Sequence, residues 1–186
     1  MESCLICGRE LRKRSTGRPR TTCSARCRKT LSRRCKSTSV PARLRRERRW
    51  ARAVGKRPVR PLGTPASTTN PNTWVDFHQV LKGAGDGYGF MCGGGIGCYD
   101  LDNALEGGRL KPWARKAVAA IVEPVLYTER SQSGRGVHIF VEAPESRGMS
   151  VPVEDGRVER YTFGRFIRLG KPMEIEGVIV NARPAA

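Results

Sequence analysis

Gly93-Gly94-Gly95-Ile96-Gly97-Cys98-Tyr99-Asp100-Leu101-Asp102 is the stretch on which the reading of this chain turns. Ile96–Leu101 has the pattern of a buried strand, and Tyr88–Cys92 is its counterpart on the other side of the glycines. Two carboxylates close the strand. Alternation puts Asp100 and Asp102 on one face, about 7 Å apart along the backbone. Carboxylates so placed repel unless a cation lies between them, and oxygen ligands favour Mg²⁺ or Mn²⁺. An isolated Asp-x-Asp is also a common solvated surface pair. This one ends an otherwise apolar strand where a loop begins, which strengthens the metal reading.

Two further polar stretches follow. In Ser131-Gln132-Ser133-Gly134-Arg135-Gly136-Val137-His138, two glycines let the backbone approach an anion, Ser133 and Arg135 donate hydrogen bonds, and His138 points from the next strand. Taken alone, the stretch reads equally well as an ordinary turn with a partly buried histidine. Val158-Glu159-Arg160-Tyr161, leading to Arg165-Phe166, carries the third carboxylate just past an Asp155-Gly156 hairpin signal. If its strand neighbours the first, three carboxylates hold two ions roughly 4 Å apart, the arrangement that serves in-line attack by a 3′-hydroxyl. Its rival is Glu159 as one arm of an exposed cross-strand charge pair. His78 is the one other histidine, which leaves a His-rich metal site or a Ser-His-Asp hydrolase poorly supported.

Charge is unevenly placed. Residues 1–60 hold 21 Lys+Arg against 3 Asp+Glu, and residues 61–186 hold 14 of each. The excess is mostly arginine and gives salt-dependent, sequence-tolerant affinity for nucleic acid; a solvated tail is the bland alternative. No apolar run reaches the roughly 20 residues of a membrane span. The N-terminus lacks a signal-peptide layout, so a cytoplasmic protein without membrane contact is expected.

Seven cysteines then read as thiols or metal ligands. Cys4-x-x-Cys7 and Cys23-x-x-x-Cys27 have the spacing of a tetrahedral structural zinc, which would supply the folding energy of so small a segment. Four unconnected thiols are the alternative. Cys92 and Cys98 sit in apolar runs as core residues. With Gly17-Arg18-Pro19-Arg20 and Cys23-Ser24, this segment resembles small treble-clef or ribbon-like modules of actinobacterial and phage proteins.

The pattern predicts a zinc module over 1–36, a basic linker or helix over 37–47, a main domain over 48–175 and a tail over 176–186. Residues 56–72 read as irregular. A helix is expected over Thr73–Leu81 with Thr73 as N-cap, and another over Pro112–Val122. Strands are expected at Val125–Glu129, Val137–Glu142, Val151–Glu154, Val158–Phe163 and Phe166–Leu169. The fold class is α+β with a mainly antiparallel sheet.

Asp-x-Asp, Ser-Gly-x-Gly-x-His and a single acid before Arg-Phe, in this order, resemble the archaeo-eukaryotic primase superfamily in its phage and plasmid primase–polymerase branch. Trp50, Lys56-Arg57-Pro58, Ala66-Ser67 and Thr73-Trp74 resemble the opening of such domains. The resemblance implies an RRM-like catalytic core with a small αβ unit, acting as a DNA primase–polymerase in phage, prophage or plasmid replication. It implies catalytic metals on Asp100, Asp102 and Glu159, and triphosphate contacts from Ser133, Arg135 and His138, with Arg165 and Lys56 as further phosphate contacts. Expected partners are a single-stranded DNA template, NTP or dNTP, and a separate replicative helicase. Two other classes compete: a non-catalytic nucleic-acid-binding protein using only the basic third, and a metal-dependent nuclease.

Overall fold

The computed structural model of the protein describes residues 3–11, 20–36 and 38–180. The chain divides into two compact units, Met1–Ser39 and Val40–Ala186. Residues 40–47, read from the sequence as part of a basic linker or helix, belong with the second unit. There Val40 and Leu44 are buried, and the Leu44 carbonyl accepts the Trp50 indole N–H at 3.2 Å.

In the first unit a bridge between Ser3 and Glu10 closes a turn, where Cys4 N–H donates to the Arg9 carbonyl at 2.7 Å and Gly8 N–H to that of Cys4 at 2.9 Å. The Ser24 hydroxyl accepts the Cys27 N–H at 3.2 Å and so caps helix α1 (Ala25–Lys36). Gly17, Arg18 and Pro19 lie outside the described residues.

The second unit contains, in order, α2 (Ala42–Arg45), β1 (Trp50–Val54), β2 (Arg57–Val59), β3 (Gly87–Met91), β4 (Ile96–Asp102), β5 (Leu105–Glu106), β6 (Arg109–Leu110), α3 (Pro112–Ala119), β7 (Val125–Arg130), β8 (Val137–Glu142), β9 (Met149–Val153), β10 (Gly156–Tyr161), β11 (Phe166–Arg168) and β12 (Lys171–Pro172). They form a four-stranded sheet β11-β3-β1-β2, a six-stranded sheet β12-β7-β8-β4-β10-β9 and the small pair β5-β6. All of these strand pairs are antiparallel. The class is α+β, as the periodicity predicts.

Packing of the six-stranded sheet fixes which way its side chains face. Leu101, Val137, Ile139 and Val141 lie in one core with Trp113, Ala114 and Val118 of α3, a helix opened by Pro112 in its first turn. The other face of β4 carries Ile96, Cys98, Asp100 and Asp102. Its apolar end is covered: Phe140, opposite Cys98, meets the Phe90 ring of the four-stranded sheet with centroids 6.2 Å apart. The acidic end lies beyond that cover.

Three expectations are corrected. Thr73–Leu81 is no helix but two 3-10 turns, Pro71–Thr73 and Phe77–Gln79, because Val75 pairs in an extended bridge with Trp50 and the Trp74 indole donates to the Ser67 carbonyl at 2.7 Å. Asp76 with Gln79, rather than Thr73, forms the capping box. Residues 57–59 are a strand within the segment read as irregular. The hairpin before Glu159 turns at Glu154-Asp155, one residue earlier than its Asp155-Gly156 signal, with Glu154 at φ 48°.

Trp50 ties these parts together, its ring meeting Phe77, Phe90 and Tyr88 at centroid distances of 4.8, 5.2 and 6.0 Å. Trp50→Ala is expected to cost about 3–5 kcal/mol, the usual range for a buried aromatic truncation. Urea denaturation of the full chain checks this, and a loss below 1 kcal/mol would contradict it.

Candidate functional site

Register does most of the work of assembling the site. Asp100 on β4 stands opposite His138 on β8 and opposite Glu159 on β10; His138 in turn stands opposite Glu129 on β7. With Ser150 of β9 opposite Glu159, five adjacent strands contribute one polar row, Glu129-His138-Asp100-Glu159-Ser150. Asp102 lies two residues along from Asp100, on the same face. Carboxylate oxygens of Asp100, Asp102 and Glu159 all lie within 4.8 Å of one another. Like charges directly opposite on neighbouring strands destabilise a sheet, so this cluster calls for a compensating cation.

Burial sharpens that demand. Asp100 is raised above the usual carboxylate range chiefly by burial, with Asp102 and Glu159 pushing the same way and His138 and Arg165 opposing. Glu159 accepts the Ser150 hydroxyl at 3.0 Å and lies 3.7 Å from the Arg165 guanidinium, which stacks over the Tyr161 ring at 4.4 Å. Burial would lower His138, but the hydrogen bond and charge of Glu129, with Asp100 and Asp102 behind them, raise it above its usual value. Its Nδ1 lies 2.7 Å from Glu129 Oε1 and its Nε2 3.5 Å from Asp100 Oδ1.

Ser131–Gly136 is the loop of the β7–β8 hairpin, closed by the Ser131 N–H donating to the Gly136 carbonyl at 2.9 Å. Gly134 sits at φ 78°, where a side chain is strained, and a Cβ on Gly136 would lie 2.9 Å from the Leu101 carbonyl oxygen. Both glycines are therefore dictated by the backbone path of the loop. The Ser133 hydroxyl lies 3.1 Å from that of Ser131, and the Arg135 carbonyl accepts the Leu105 N–H at 2.8 Å. Those contacts hold the loop at the end of β4 where Asp102 stands.

Of the residues singled out by sequence, Asp100, Asp102, Glu159, His138 and Arg165 come together, and Ser133 and Arg135 flank them at the loop. Lys56 does not join them. It lies in the β1–β2 turn, beyond the β1 end that pairs with Gly87, whereas Arg165 adjoins Cys92 at the far end of β3. Those ends are about 16 Å apart at the rise of a strand. Glu129 escaped the sequence reading, although it lies as far before the Ser131–Gly136 loop as His138 lies after it, which fixes them as partners across the hairpin.

The first unit holds a second cluster. One sulfur from each of Cys4, Cys7, Cys23 and Cys27 falls within a 4.8 Å group. Burial would raise Cys4, but backbone N–H groups of Cys7, Ile6 and Cys23 overcome it and hold the thiol down to about 6. Four sulfurs, one already favouring thiolate, fit a soft tetrahedral cation. The three carboxylates fit a hard one.

No protein-family model matches the chain, and no curated protein matches it.

Cysteine accessibility checks the division of roles. Burial pushes Cys92 up to about 12 and raises Cys98 well above its ordinary value, so neither reacts with an aromatic disulfide reagent in the folded chain. Peptide mapping after labelling is expected to show Cys4, Cys7, Cys23 and Cys27 modified once a chelator is added, with Cys92 and Cys98 modified only after denaturation. Native labelling of Cys92 or Cys98 would contradict the core assignment.

Proposed function

We propose that the second unit is a metal-dependent nucleotidyltransferase of the primase–polymerase kind, building or extending a primer on single-stranded DNA. The observation that carries this reading is the row of His138, Asp100 and Glu159 on adjacent strands, with Asp102 beside it and a glycine-bearing hairpin loop at its end. Strand order supports it too. The order β7-β8-β4-β10, with α3 crossing between β4 and β7, supports an RRM-like βαββαβ reading of the sheet. Here β9 and its loop stand where the second helix of that pattern would be, among the described residues.

In this reading Asp100, Asp102 and Glu159 hold Mg²⁺ or Mn²⁺. Such ions supply charge neutralisation at the attacking 3′-oxygen and the leaving pyrophosphate. Ser133 and Arg135 donate to the triphosphate from the loop, and the open backbone at Gly134 lets it approach. His138 offers its Nε2 edge between the loop and Asp100. Arg165, stacked on Tyr161, holds Glu159 in place and adds positive charge beside the triphosphate. In the first unit a structural Zn²⁺ on Cys4, Cys7, Cys23 and Cys27 holds the fold, and the arginine-rich stretches grip template phosphates. A hydrolytic nuclease would use the same acids. The serine–glycine–arginine loop favours a triphosphate over a water-attacked diester.

The test is incubation of the purified full chain with single-stranded DNA, labelled NTPs or dNTPs, and Mn²⁺ or Mg²⁺. Wild type is expected to make template-dependent products, and Asp100→Ala with Asp102→Ala to lose at least a thousandfold in rate while binding DNA within about threefold of wild type, the loss expected when metal-held charge stabilisation is removed. Tight DNA binding by both proteins without products would favour the non-catalytic reading; shortened DNA would favour the nuclease.

A further inference from the structure

We propose that Glu129 is a positioning residue of this site: its carboxylate holds the His138 ring so that Nε2 is the edge presented to Asp100 and to a bound triphosphate. The inference rests on the function proposed above and adds a residue to its machinery.

Glu129 is wholly buried, with its side chain inside the sheet face between β12 and β8. Its Oε1 lies 2.7 Å from His138 Nδ1. A buried carboxylate accepts, so Nδ1 must carry the proton and donate it. That bond leaves Nε2 on the opposite edge of the ring, 3.5 Å from Asp100 Oδ1 and directed along the row toward the acidic cluster. Rotating the ring by half a turn would put a carbon where Nδ1 stands and strip Glu129 Oε1 of its partner. The ring's orientation, with its proton on Nδ1, is therefore fixed by one contact.

A purely structural account fits this residue poorly. Glu129 Oε2 is buried with no hydrogen-bond partner among the described residues. An apolar side chain of similar size would avoid that penalty. A half-satisfied buried carboxylate is explained by what its satisfied oxygen does to His138. The arrangement matches the general rule that histidines at reactive centres are oriented by a second hydrogen bond from behind. Here the orienting group comes from the preceding strand of the same hairpin, so the Ser131–Gly136 loop that flanks the site also sets the Glu129–His138 register.

The experiment compares wild type with Glu129→Gln, which keeps the shape and removes the charge, and Glu129→Asp, which keeps the charge and withdraws the oxygen by one methylene. The chain has two histidines, so ¹⁵N-histidine NMR resolves His138 once His78→Asn has assigned the other. Expected for wild type is a protonated, hydrogen-bonded Nδ1, and for both variants a changed ring signal. In primer synthesis, kcat/KM for nucleotide should fall 10- to 100-fold in both, with DNA affinity within twofold and no drop in melting temperature. Wild-type ring signals in both variants would overturn the proposal, as would an altered ring with undiminished kcat/KM. If wild type makes no product, the function proposed above fails separately. Inorganic tripolyphosphate with Mg²⁺ then serves as probe: a His138 Nε2 shift in wild type that is lost in the variants supports the positioning role, and no shift in wild type overturns it.

Discussion

Apolar packing behind the six-stranded sheet is the constraint that everything at the site depends on. Side chains alternate along β4, so Leu101 and Asp100 cannot both face α3. Leu101, with Val137 and Ile139 of β8, is locked into the core around Trp113 and Val118. A slip of one residue would send Asp100 into that core and Leu101 to the open face, at a cost no charge cluster could offset. The hydrophobic face therefore holds mutually repelling carboxylates in register. Their mutual repulsion is a by-product of good packing behind them, offset in part by His138 and Arg165, and the cluster could hold a cation.

The same logic explains why the polar row is confined to one end of the sheet. Moving along β4 from Ile96 to Asp102, the residues on the face away from α3 change from buried apolar to acidic. The change falls where the four-stranded sheet, through Phe90 against Phe140, stops covering that face. Trp50, Phe77 and Tyr88 stiffen the covering sheet and so fix the edge of that cover. Arg165 reaches in from the turn before β11 and touches Glu159 at that edge.

How much of this was legible in the sequence follows from which interactions are local. β4 and β8 were readable because their apolar runs are bounded by glycine turns, and α3 because its apolar residues recur at helical spacing after Pro112. Their acids and the histidine were legible as motifs, since spacing of two on a strand sets a shared face. The Thr73–Leu81 stretch misled because its helical pattern yields to a long-range bridge between Val75 and Trp50, which no local signal announces. Lys56 looked useful beside Pro58 yet lies at the far end of β1, a matter of strand direction alone. Glu129 was missed because its role exists only through the hairpin register. The four cysteines of the first unit were legible outright, as convergent sulfurs at turn and helix-start positions.

In the function proposed above, these strands build one cation-dependent triphosphate site. The most direct measurement is calorimetric titration of the full chain with a non-hydrolysable nucleoside triphosphate, with and without Mn²⁺, in wild type and Asp100→Asn. Saturable binding that requires Mn²⁺ and disappears in Asp100→Asn is the predicted result. Equal binding without the cation, or undiminished binding by Asp100→Asn, would contradict the account.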